Sequence, residues 1–323
     1  MQIAPLTATN VESAAKLLAE RFVEQRDLGL PWPGATGDPS MWRPQLQDRL
    51  ARGAGLVAFT DDGPTAFICA REERSSPWLP SYWIDFDMHA AALPEAYRDL
   101  YAAAAEWWVE RGCLDHYVVA PVLDDVVAIW FALGFGLEQV YGIRSLATEI
   151  AHRRRVRASI TRATVEDLPS LLPLIDTIAR YQSGSPVFGI NLAAVEDFEE
   201  GHRELLERAD CHYWLASVDD RVAGYAVFVP IGADEPHLPS ATIELHVAAV
   251  ADEMRGTGVG GALTSAGLRG ARDAGFEYCV TDWRSANPLS SRMWTRWDFQ
   301  PWAYRLHRTI DRRFGPRGEP PEC

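Results

Sequence analysis

The chain has 323 residues, 47% hydrophobic and 24% charged, with a formal net charge of −14. That length suits two domains, each large enough to bury its own core, and the balance of apolar and charged residues excludes a disordered chain. The acidic surplus argues against nucleic-acid affinity and is compatible with a cationic amine as substrate. Five cysteines, Cys69, Cys113, Cys211, Cys279 and Cys323, are odd in number and widely spaced with no C-x-x-C pair. This points to reduced thiols in a cytoplasmic protein, and against a disulfide framework or a zinc site, so no metal is expected. The sequence shows neither a signal segment nor an apolar run of about 18 residues, so neither export nor a membrane partner is expected.

In chain order, A-F-T-D-D-G-P-T-A-F, ending at Phe67, is a strand, tight turn, strand hairpin. A helix closing in W-V-E-R-G precedes Cys113, W-F-A-L-G-F ends at Phe135, and a last strand of the first half is expected over Tyr141–Ile150. The basic run H-R-R-R-V-R, 152–157, stands alone in an acidic chain and reads as a short solvated linker rather than a nucleic-acid contact. After it a strand is expected at Ala158–Arg162, helices at Glu166–Tyr181 and Ala193–Arg208, and strands at His212–Ser217, Val222–Pro230 and Thr242–Val250. A helix from near Thr257 to about Ala274, a strand at Glu277–Trp283, a helix over Asn287–Arg296 and a strand at Ala303–Thr309 complete the second half, with 315–323 a frayed tail.

The two halves repeat one another. The hairpin ending at Phe67 parallels A-S-V-D-D-R-V-A-G-Y ending at Tyr225, W-V-E-R-G parallels A-R-D-A-G before Phe276, and W-F-A-L-G-F parallels W-T-R-W-D-F ending at Phe299. The spacing between matched positions widens by about five residues after the hairpin, so the first half is shorter where the second carries a glycine-rich loop. There the first half reads H-A-A-A-L-P-E-A-Y-R-D-L, and Pro94 and Glu95 suit a helix start better than an anion site. The resulting domains are 1–151, without the loop, and 158–314, with it, joined by 152–157.

The loop itself, V-A-D-E-M-R-G-T-G-V-G-G over 250–261, runs from an apolar strand into a helix with an apolar face at Ala262, Leu263, Ala266 and Ala271. Glycines at 256, 258, 260 and 261 allow close backbone approach, and the helix start directs unpaired N–H groups and the positive end of its dipole at the loop, which favours a pyrophosphate. Ordinary strand-to-helix packing also uses such turns. With Arg255, Gly258 and Gly260 filling the pattern Arg/Gln-x-x-Gly-x-Gly/Ala, the segment resembles the coenzyme A loop of the GNAT superfamily of acyl-CoA-dependent N-acyltransferases. Glu244, Val250 and Asn287 stand where that family places a strand glutamate, a hydrophobic residue at a strand splay and an Asn-containing helix start. The run N-P-L-S-S-R-M-W-T-R-W-D-F, 287–299, continues the likeness and departs from it at Trp294, where an aromatic acid is usual, and at Asp298, where glycine is usual.

The resemblance implies an α/β fold of two tandem GNAT-like domains, each a central mixed β-sheet flanked by helices, with one working acetyl-CoA site in the second half. It implies cofactor contacts at Ala248, Val250, Arg255, Gly256, Thr257, Gly258, Val259, Gly260, Gly261 and Asn287. Strand alternation puts Glu244, His246 and Ala248 on one face, and the family's chemistry makes Glu244 the expected base for direct attack of an amine on the thioester, with His246 as a second candidate. A carboxylate paired with an arginine and a packing histidine are the plain structural alternatives. The Trp294 indole cannot supply the thiolate's proton, so either the thiolate leaves without help or Tyr278, Tyr304 or a water protonates it. The acceptor is a primary amine of a small molecule or peptide, received by Tyr181–Leu192, Pro230–Pro239 and Trp302–Tyr304, with Asp234, Glu235 and Asp282 as candidate partners of its charge. A homodimer is allowed. The alternative function is a non-catalytic acyl-CoA-binding regulatory or scaffold protein.

Overall fold

The computed structural model describes residues 1–75, 80–150, 156–189, 198–232 and 235–315. The chain divides into two compact units, Met1–Val140 with Pro301–Cys323, and Tyr141–Gln300.

The first unit runs β1 (Gln2–Pro5), α1 (Val11–Asp27), α2 (Pro39–Arg52), β2 (Ala54–Thr60), β3 (Gly63–Glu73), β4 (Ser81–Ala91), α3 (Ala96–Glu110), β5 (Asp115–Pro121) and α4 (Asp124–Ala132). The strand β6 (Gly136–Ser145) crosses the division at Val140. Strands β1 to β5 lie in sequential order, antiparallel except for the parallel pair β4 and β5. The apolar stripe of α3, with Tyr97, Leu100, Tyr101, Ala104 and Trp108, packs onto Ile68, Tyr82, Ile84 and Val118 of the sheet, and Trp130 and Phe135 close that core.

The second unit runs β7 (Ser159–Arg162), α5 (Leu168–Leu171), α6 (Thr177–Gln182), α7 (Phe198–Glu207), β8 (His212–Val218), β9 (Arg221–Pro230), β10 (Thr242–Val250), α8 (Val259–Asp273), β11 (Tyr278–Arg284) and α9 (Pro288–Arg296). Its strands follow the same plan, antiparallel from β7 to β10 and parallel between β10 and β11. The repeat is metric as well as topological: α3 and α8 have 15 residues each, α4 and α9 nine each, and β5 and β11 seven each. The expected fold, tandem GNAT-like units each with a mixed sheet flanked by helices, is the one observed.

Three expectations differ in detail. The helix expected over Glu166–Tyr181 is a short 3-10 turn followed by α5 and α6, because Pro169 and Pro173 each lack a donor and Pro173 cannot continue the turn begun by α5. Packing does not divide the chain at the basic run: the last strand, β12 (Gln300–Thr309), pairs antiparallel with β5 of the first unit, Ala303 opposite Pro121 through Thr309 opposite Asp115. The last strand of the first half ends at Ser145 rather than Ile150. Residues 152–155 of the expected linker, part of the helix expected from Ala193, part of the acceptor loop over 181–192, Asp234, and 316–323 of the tail lie outside the described residues.

The loop deletion in the first unit is visible as geometry. Four residues separate β4 from α3, and the amides of Ala96, Tyr97 and Arg98 already donate to Leu93, Pro94 and Glu95 carbonyls. A helix start whose amides are spent in turns, with Asp99 in its first turn, offers nothing to a phosphate.

Candidate functional site

A cavity of about 570 Å³ lies in the second unit, between the loop ahead of α8, the end of β10, α6 and α9. Of the residues singled out from sequence, Ala248, Val250, Arg255, Gly256, Gly258, Gly260, Gly261 and Asn287 line it. Thr257 and Val259 belong to the same loop but do not line it; Val259 is 1% exposed, and the Thr257 hydroxyl and amide both donate to the Met254 carbonyl, pinning the loop.

The loop is shaped by backbone that only glycine adopts cheaply. Gly256 has φ +74° and Gly258 φ +102°, and Gly258 is the N-cap of α8. The first intrahelical bond is donated by Ala262 to the Gly258 carbonyl, so the amides of Val259, Gly260 and Gly261 precede the helical ladder and carry the positive end of its dipole. Arg255 adds a full charge beside them, its Nη2 2.7 Å from Asp252 and its guanidinium 5.4 Å from the centre of the Tyr181 ring. A pyrophosphate fits this set of donors.

The second element of the site is a gap between parallel strands. Strand β10 pairs with β11 from Thr242 to Glu244, opposite Tyr278 to Val280, and Thr281 Oγ1 then donates to the Leu245 carbonyl at 2.9 Å. Past this point β10 continues to Val250 with its other edge on β9, Val250 lying opposite Gly224. Asn287 caps α9, accepting from Leu289 and Ser290 amides at 3.0 and 3.3 Å. This occupies its oxygen and leaves its amide nitrogen outside the cap. Backbone groups on a departing strand edge, an amide and a helix N-terminus in one mostly apolar cavity match the pantetheine and pyrophosphate of an acyl-coenzyme A.

Glu244 and His246 do not line the cavity but they do meet: His246 Nδ1 lies 3.1 Å from Glu244 Oε2. The expected sharing of a face by Glu244, His246 and Ala248 is corrected by a β-bulge. On β9, Leu245 faces Phe228 and Val247 faces Val227, so His246 is an extra residue. The parity of β10 is reversed past it, putting Glu244, Val247 and Ala249 on one face and Ala248 on the other. The hydrogen bond to Glu244 raises the pKa of His246 above its ordinary value, against the opposing effect of burial. Asp282, a candidate partner of the acceptor's charge, contributes in the same direction.

Trp294 is 7% exposed, lines the cavity and packs edge-on against Phe299 at 5.8 Å. Asp298, where the family has glycine, takes the left-handed conformation with φ +58°, which aspartate tolerates better than most residues. Tyr278 sits at the start of β11 opposite Thr242, and Tyr304 belongs to the first unit, so neither lines the cavity. Tyr225, which no local motif singles out, does line it: fully buried, its hydroxyl has no hydrogen-bond partner, and burial raises its pKa so that it keeps its proton. The signal was in the repeat, since its counterpart in the first half is Phe67 and the added hydroxyl is the difference.

Residues 179–299 match the model of the acetyltransferase (GNAT) family. Comparison with curated proteins gave no match. Among solved structures, a GCN5-related N-acetyltransferase from Sphaerobacter thermophilus is 12% identical, with a TM-score of 0.58 over 98% of this chain and 96% of that one. A tandem GNAT protein from the clavulanic acid biosynthesis pathway is 13% identical, with a TM-score of 0.52 over 98% and 99%. A GNAT-family acetyltransferase from Colwellia psychrerythraea is 11% identical, with a TM-score of 0.52 over 96% and 100%. At these identities the likenesses establish the fold. No helix among the described residues is long and apolar enough to cross a membrane. With the glycine cradle, the strand gap and the match at 179–299, the second unit carries an acetyltransferase (GNAT) domain, and the chain as a whole has the fold of tandem GNAT proteins.

Proposed function

We propose that the second unit binds acetyl-CoA and transfers its acetyl group to a primary amine of a small molecule or peptide by direct attack. The observation that carries this reading is the joining of the α8 N-terminus and the β10 edge in a single cavity. Bound acetyl-CoA supplies an activated thioester. The amides of Gly260 and Gly261 and the Arg255 side chain hold its pyrophosphate, and the Val250 main chain and the Asn287 amide nitrogen hold pantetheine. Glu244, hydrogen-bonded to His246, accepts the proton of the incoming ammonium, directly or through water. The acidic balance of the chain suits a cationic acceptor.

Incubating the full chain with acetyl-CoA and a panel of amines, and measuring free thiol release, tests the proposal. Amine-dependent thiol release is the expected result. Stoichiometric binding of acetyl-CoA with no release for any amine would favour the second reading, a non-catalytic acyl-CoA-binding protein, to which Trp294 at the usual place of an O–H donor gives weight.

A further inference from the structure

The first unit holds two buried side chains, Arg21 and Gln25, with hydrogen-bonding atoms that meet no partner, near the partly exposed carboxyl of Asp87. Arg21, in the middle of α1, is 5% exposed and sits 4.9 Å from the centre of the Phe22 ring and 4.5 Å from that of Phe86. Its Nη1 donates to the Phe86 and His89 carbonyls, both at 2.7 Å, where β4 bulges away from β3 between Ile84 and His89. That bond pair explains Nη1 alone. Its Nε and Nη2, the edge that matches a carboxylate in shape and charge, meet no acceptor. One turn further along α1, Gln25 is fully buried, and neither its Oε1 nor its Nε2 has a partner. Asp87, in the bulge, is coupled electrostatically to Arg21 yet forms no ion pair with it, and burial raises its pKa.

The neighbouring polar groups are already committed. Asp85 is held by Arg49 at 2.6 Å and Arg71 at 3.0 Å. His89, fully buried and pushed down to about 3, donates from Nε2 to the Val119 carbonyl and accepts at Nδ1 from the Tyr97 hydroxyl. What is left over is a guanidinium edge and an amide, near the Asp87 carboxyl. They are bordered by aromatic rings, with Trp302 4.8 Å from Phe86 and 5.4 Å from Trp32. Buried polar groups of native proteins find partners, and charges that are buried apart are costly. A single water satisfies one or two of these atoms and leaves the others unpaired. A molecule with a carboxylate for the guanidinium edge and an ammonium for the Asp87 carboxyl pairs them together.

We propose that the first unit binds a small zwitterion of the amino-acid type, its carboxylate on Nε and Nη2 of Arg21, its ammonium on Asp87, and Gln25 bridging the two. Asp87, the one partly exposed member of the three, lies toward solvent and marks the side of entry. This site is separate from acetyl transfer in the second unit and does not depend on it.

Calorimetric titration of the full chain with glycine, the smallest such zwitterion, tests the proposal, with acetate and methylamine as probes lacking one charge each. One glycine per chain is expected, with acetate and methylamine each bound at least about tenfold more weakly. Arg21→Lys, which keeps the charge and loses the planar fork, and Asp87→Asn, which keeps the shape and loses the charge, are each expected to weaken glycine about tenfold or more. Gln25→Leu serves as a third variant if either of these loses its folded circular-dichroism spectrum. No uptake of glycine by the unaltered chain overturns the proposal. So does acetate binding as tightly as glycine with Asp87→Asn indifferent, which would make the site one for anions alone.

Discussion

Gly260 offers a test in which stability and affinity move in opposite directions. It occupies the first turn of α8, and a Cβ built on it would stand 3.4 Å from Val250 Cγ2 and 3.7 Å from Met293 Cε, both ordinary contacts. Its φ is not in the left-handed region, so alanine fits without backbone strain. Gly260→Ala therefore removes unfolded-chain entropy and is expected to stabilise the protein by about 0.5–1 kcal/mol. Val250, Met293 and Gly260 all line the cavity, however, so the same methyl enters the space assigned to the acyl-CoA. Crowding of a close-fitting site costs about 1–3 kcal/mol, equivalent to a loss of roughly 5- to 150-fold in acetyl-CoA affinity. Thermal unfolding without ligand and calorimetric titration with acetyl-CoA measure the two effects on one sample. A stabilised variant with unchanged affinity would refute the placement of the cofactor against this turn, and a destabilised one would refute the reading of the local geometry.

Other outcomes follow from the same site. Acetyl-CoA is expected to bind at one per chain by calorimetry, since the amides at the start of α3 are spent in turns; two equivalent sites would overturn the reading of the first unit. Arg255→Glu places a carboxylate beside the amides of 259–261 and should weaken acetyl-CoA severely, an effect diminished by added salt because the side chain is partly exposed. Glu244→Gln is expected to leave acetyl-CoA affinity intact while lowering turnover by about 10² to 10⁴; full activity would move the base to His246 or solvent. The Glu244 hydrogen bond raises the pKa of His246, so the imidazolium is favoured in the folded state. Its contribution to stability is present below the ordinary histidine pKa and is lost as pH rises through the raised one. Titration of His246 by NMR should show a midpoint above the ordinary value that falls toward it in Glu244→Gln, and a midpoint indifferent to the substitution would break the pair.

The sequence by itself determined what depends on near neighbours. The duplication, the glycines that give the loop its positive φ at 256 and 258, the Asn287 cap and the limits of Thr242–Val250 are all written in short stretches, because turn chemistry, capping and periodicity act over a few residues. Even the hairpin of the second half, with Asp219 and Asp220 at φ +47° and +59°, follows from local turn preference. The tertiary structure decided the rest. Whether β10 keeps its alternation past His246 depends on its register with β9, and one extra residue moves Ala248 to the other face from Glu244. That β12 completes the first unit beside β5 is a choice among strand edges far apart in the chain, on which periodicity is silent. The unpartnered hydroxyl of Tyr225 and the free edge of Arg21 are properties of what surrounds them. Burial and the lack of a hydrogen-bond partner are set by residues tens to hundreds of positions away, so only the packed chain shows which polar groups have been left for a ligand.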